Sequence, residues 1–142
     1  MAIYSLGVRT SNVTTANPNF EAFTTANNIP RVMELGVFMA AATASVLGLG
    51  RPQAIGVTPT TPVHTIAEDP ADPASALQTA LAWGTAPTIP LYFFRRLNLP
   101  GTIGAGIILT FPRGLKIGLT NSIVTWNIGA TGVMDLHIVS DE

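Results

Sequence analysis

Apolar and polar residues alternate along much of this chain, most clearly near its C-terminal end. Met134, Leu136 and Ile138 fall on one side of an extended segment spanning 133–139, while Asp135 and His137 fall on the other. Val124, Trp126 and Ile128 likewise oppose Thr125 and Asn127 within 122–128. Both segments read as half-buried antiparallel strands. Similar runs at 3–9, 20–25, 31–39, 44–49, 91–99, 106–111 and 115–119 are separated by Gly, Pro and Asn clusters at the spacing of sandwiches and barrels. A polar loop over 11–19 follows the first run. Residues 56–62 read as an extended edge or loop, because Pro59 and Pro62 cannot donate to a ladder, and 63–66 as a short strand.

Two segments have a competing reading. Residues 35–50 carry no charge, but a helix of that length spans only about 24 Å, short of the roughly 30 Å hydrocarbon core. They read instead as two buried strands joined near 41–44, apolar on both faces. Residues 74–83 could form a helix, capped by Asp72-Pro73 and ended by Gly84, with Leu77 and Leu81 at i,i+4. They could equally form a strand, with Leu77, Thr79, Leu81 and Trp83 on one face; the strand-like character of the rest favours this. With no repeat, heptad or low-complexity tail, residues 1–142 are expected to form one all-β domain, a single antiparallel β-sandwich with a jelly roll as its topology.

Composition changes the picture from fold to association. Hydrophobic residues make up 47% of the 142 and charged residues 11%, whereas a free monomer usually carries about a quarter charged. Much of the surface is therefore expected to be covered by a partner. A net charge of -1 supplies no basic field for nucleic acid or anionic lipid. Without cysteine, disulfides, thiolate catalysis and thiolate zinc sites are excluded. Residues 1–5 lack the charge and apolar run of a secretory signal, so synthesis inside a cell is expected.

Catalytic patterns are missing. His64 and His137 are the only histidines, too few for a cupin-type metal site, and His137 reads as a surface residue on the polar face of the last strand. No Gly-x-Ser-x-Gly elbow or phosphate loop occurs, the sole lysine, Lys116, lies outside any such loop, and 101–106 reads as a turn. No catalytic residue, cofactor or metal ligand is assigned, and a non-enzymatic role follows. Glu68, Asp69 and Asp72 concentrate acid in an exposed turn placed to face an arginine on a neighbour. Arginine outnumbers lysine six to one, and Arg95-Arg96 directly follow Tyr92-Phe93-Phe94, a combination enriched at interfaces. Exposed Trp83, Tyr92 and Trp126 would suit a carbohydrate-binding sandwich, although core packing is the commoner use of such rings.

Several stretches resemble small structural proteins of tailed bacteriophages. They are the opening Ala2-Ile3-Tyr4-Ser5-Leu6-Gly7-Val8-Arg9-Thr10, the run from Glu34 through Leu47-Gly48-Leu49-Gly50-Arg51-Pro52, the acidic Ala67-Glu68-Asp69-Pro70-Ala71-Asp72-Pro73, Phe93-Phe94-Arg95-Arg96 and Phe111-Pro112-Arg113-Gly114-Leu115. The resemblance implies a virion part. Capsid decoration proteins, which cement the head as trimers, match the size and composition best. Its implied partners are the major capsid protein and further copies of the chain, with a tail or neck component, or a host-recognition carbohydrate binder, as the alternatives. The partner-contact residues are then Arg9, Glu68, Asp69, Tyr92, Phe94, Arg95 and Arg96.

Overall fold

The computed structural model describes residues 2–11, 17–129 and 132–142. Every regular element among them is a strand. The first four are β1 (Ile3–Arg9), β2 (Asn17–Thr24), β3 (Arg31–Met39) and β4 (Ser45–Gly50). A run of short strands follows: β5 (Val57–Pro59), β6 (Val63–His64), β7 (Ile66–Ala67), β8 (Leu77–Ala80) and β9 (Trp83–Thr85). Four longer strands close the chain: β10 (Phe93–Leu99), β11 (Gly106–Lys116), β12 (Ile123–Asn127) and β13 (Met134–Asp141).

All pairings are antiparallel, in a five-stranded sheet of order β11-β3-β13-β1-β7 and a six-stranded sheet of order β10-β4-β12-β2-β8-β6, with β5 and β9 paired separately. One apolar cluster draws on both sheets in a sandwich-like arrangement. Val32, Leu35, Val37, Met134, Leu136 and Ile138 come from the first, and Phe20, Leu47, Leu49, Leu77 and Ile123 from the second. Each such side chain contributes about 1.5–3 kcal/mol when taken out of water. The uncharged 35–50 run spans β3 and β4, which join through 40–44 and enter different sheets.

Three expectations are corrected. First, β2 begins at Asn17, not at residue 20, and Asn19 forms a bulge between Phe20, opposite Thr125, and Pro18, opposite Trp126. Residues 12–16 of the expected polar loop lie outside the described residues. Second, the expected segments 106–111 and 115–119 are not separate strands: β11 runs unbroken from Gly106 to Lys116 and ends there, leaving 117–119 outside it. The Pro112-Arg113-Gly114 interruption is absorbed as a register shift between Thr110 and Leu115, with Gly114 at φ 64, where a side chain is strained. Third, β12 is buried along its whole length, not half-buried. Thr125 and Asn127, beside the core residues Leu49 and Leu47, face inward. Val124 and Trp126 lie on the opposite side and are buried as well. There, the Phe93 ring covers Gly48, the cross-strand neighbour of Trp126.

The 74–83 segment resolves as strand. β8 occupies Leu77–Ala80, and Trp83 starts a separate strand that pairs with β5.

Candidate functional site

β10 and β11 are the terminal strands of the two sheets and lie on the same flank, with Arg95 of β10 sharing a shallow hollow with residues 110–115 of β11. Local packing explains what this flank presents. A Cβ on Gly50 would stand 2.8 Å from the Tyr92 carbonyl oxygen, and one on Gly48 would stand 2.4 Å from the Phe93 ring. The two glycines thus admit the incoming chain against the sheet. The half-buried Phe93 ring then lies over Gly48 on the outer face of the six-stranded sheet, while Tyr92 and Phe94 remain 80% and 39% exposed.

Exposed apolar side chains concentrate here. Of thirteen large hydrophobic residues exposed among the described residues, seven fall between positions 89 and 108: Ile89, Leu91, Tyr92, Phe94, Ile103, Ile107 and Ile108. Arg95, Arg96, Arg113 and Lys116 belong to the same two strands, and the sequence holds no acid between Asp72 and Asp135. Guanidinium groups also organise the aromatic rings. Arg96 lies 5.9 Å from the centroid of Phe93, and Arg51 lies 5.8 Å from that of Phe94. Arg51 donates further to the Lys116 carbonyl and to Asn121 Oδ1, both at 2.8 Å, so it ties the end of β11 to the start of β12. Burial lowers its pKa below the ordinary arginine value.

The expected contact residues divide into separate groups. Tyr92, Phe94, Arg95 and Arg96 come together on the β10–β11 flank. Arg9 lies on the outer face of the five-stranded sheet, where its Nε and Nη2 donate to the two oxygens of Asp135 at 2.6 and 2.8 Å. That bond holds the Asp135 carboxyl below its usual range and raises Arg9. Glu68 and Asp69 follow β7 at the opposite edge of the sheet, lining a hollow with Ile3, Pro70 and Asp72. Asp69 accepts from the Ala71 N–H, as in an exposed turn.

No protein-family model matches this chain, and no curated protein is significantly similar to it. The site therefore has to be read from its own chemistry.

Among the described residues no group of three His, Cys, Asp or Glu side chains could hold a metal ion, and no helix is long and apolar enough to cross a membrane. His137 donates to Glu34 at 2.8 Å, and His64 to the Ser75 carbonyl at 2.8 Å. The three rings that suggested sugar binding do not converge. Trp126 is only 4% exposed, Trp83 packs over Gly56, and Tyr92 alone stands out in solvent. What the β10–β11 flank offers is a broad apolar surface edged by guanidinium groups, suited to another macromolecule. Ile103, Ile107, Ile108, Arg51 and Arg113 belong to it, although none of them is among the contact residues expected from the sequence. The acid-free stretch from 73 to 134 is the sequence signal that marks it.

Proposed function

We propose that this chain is a non-enzymatic virion structural protein of a tailed bacteriophage, a capsid decoration protein that binds the major capsid protein on the head surface. The observation that carries the reading is the β10–β11 flank, where seven exposed apolar residues lie beside arginines in a stretch of sequence that holds no acid. Burying such a surface on a larger assembly removes apolar area from water with few charges to desolvate. The strand order adds support. Without the short strands of the 51–92 excursion, the sheets run β1-β13-β3-β11 and β2-β12-β4-β10, which we read as a jelly roll, an architecture used by viral capsid and lectin domains and by cupins. Self-association belongs to the same reading, since cement proteins bridge shell subunits as oligomers.

Co-sedimentation of the purified chain with separated phage heads and tails tests the proposal. Saturable, stoichiometric recovery with heads is expected, and Tyr92→Ala with Phe94→Ala should abolish it without lowering the melting temperature. Recovery with tails moves the chain to the tail or neck. Recovery with neither overturns the virion reading.

A further inference from the structure

The four sheet edges are not alike. β6 and β7 are two residues long, too short to template another strand. β10 centres on Arg96, which in a self-paired edge would face its own copy, and like charges directly opposite are destabilising. β11 runs for eleven residues. Its second half is blunted by Pro112, Arg113, Lys116 and its bulge, but the first half, Gly106 to Phe111, is not, carrying no charge and no proline. An unblunted stretch of that length is a ready template for another strand.

The hydrogen bonding fixes which atoms are free. Met39 donates to the Ala105 carbonyl, whereas Ala40 donates to Val133 on the other side of β3. By strand alternation Ile107 and Leu109 direct their backbone groups at β3, leaving the N–H and C=O of Gly106, Ile108 and Thr110 on the open edge.

We infer that β11 pairs antiparallel with β11 of a second copy of this chain about a two-fold axis at Ile108, joining two five-stranded sheets into one. In this register Ile108 faces its own copy and Gly106 faces Thr110. All three open N–H groups are used, and Pro112, which has none, stays outside the pairing. Centring one residue later would set Gly106 against Pro112 and lose a donor. The pairing covers Ile107 and Ile108, which are 38% and 51% exposed in the single chain. Charge favours the antiparallel sense: Arg113 lies five residues from the axis, so its two copies stand about 34 Å apart, well beyond screening distance. A parallel pairing would bring them together.

Because the chain has no cysteine, an introduced one reports the register directly. At the axis the two Ile108 Cα atoms would be about 5.5 Å apart, within disulfide reach, whereas two Thr110 Cα atoms would be offset by roughly 14 Å. Mild oxidation should convert Ile108→Cys to a covalent dimer reversible by reductant and leave Thr110→Cys unlinked. Sedimentation velocity should show a dimer for the unmodified chain and a monomer for Ile108→Lys, with the melting temperature of the single chain retained. A monomeric unmodified chain, equal cross-linking of both cysteine variants, or a three-fold assembly in which Ile108→Cys does not cross-link would each overturn the inference. No virion is present in these assays, so they are independent of the head-binding test.

Discussion

The His137 imidazole lies flat across Gly36, its cross-strand neighbour, and donates to Glu34 Oε1 at 2.8 Å while stacking on Phe38 at a centroid distance of 5.9 Å. A Cβ at position 36 would stand 2.1 Å from the ring's Cε1, so only glycine leaves the imidazole its place. Gly7, the neighbour of His137 on the other side, has nothing within 4 Å of a built Cβ.

These two glycines make a matched test. Gly36→Ala should displace the ring, break its bond to Glu34 and cost about 1–3 kcal/mol in urea unfolding. Gly7→Ala should be neutral or slightly stabilising, since alanine loses less backbone freedom on folding. In a His137→Ala background the penalty at position 36 should largely vanish. An equal penalty with and without the imidazole would locate the strain in the backbone instead.

The Glu142 carboxylate organises the entry to β8. It accepts from the Ser75 hydroxyl and from the N–H groups of Ala76 and Leu77 at 2.7 and 3.0 Å. Glu142→Ala leaves the Ala76 N–H without its acceptor, while the Leu77 N–H and the Ser75 hydroxyl keep other partners, and should cost about 1–3 kcal/mol. Hydrogen exchange should localise the loss: the Ala76 and Leu77 amides are expected to exchange faster, while those of β3 and β13 keep their relative protection.

Alkaline stability should depend on Tyr4. Its ring is buried, its hydroxyl donates to the Pro73 carbonyl at 3.0 Å, and burial, followed by the charges of Glu142 and Asp72, raises its pKa above 10.0. The unfolded chain therefore releases this proton first. The stabilisation is complete below about pH 10 and is lost as the pH climbs through the higher folded-state value. Urea midpoints measured across the alkaline range should fall for the unmodified chain and fall less for Tyr4→Phe. In a Tyr92→Phe chain, ultraviolet titration reads Tyr4 as the sole phenol; an unshifted curve would contradict the prediction.

Period-two alternation made the strands legible, because most of them bury one face. β13 carries the pattern through Met134, Leu136 and Ile138, all at most 2% exposed. β12 shows where the pattern falls short. Its two faces are correctly separated by alternation, but Thr125 and Asn127 point into the space between the sheets, while Val124 and Trp126 are covered by chain that passes over the other side. Alternation distinguishes two faces without saying what lies on either. The Pro112-Arg113-Gly114 interruption in β11 misled for a related reason: a bulge absorbs residues that a flat ladder cannot, and it depends on the partner strand. The aromatic-arginine half of the site was visible as Tyr92 to Arg96. Ile103, Ile107 and Ile108 were not, because only the stacking of the two sheets brings β11 alongside β10.

Thr65 carries the chain from one sheet to the other: His64 pairs with Gln78 in the six-stranded sheet, and Ile66 with Ser5 in the five-stranded one. That single step stitches the two layers together at the flank opposite β10 and β11. The strands left at that flank, β6 and β7, are too short to add neighbours, which leaves the longer edges on the other side to do so. Two chains joined through β11 would leave only margins that are short, at β6 and β7, or charged, at β10, so growth would halt at a counted number of chains instead of running on into a fibre.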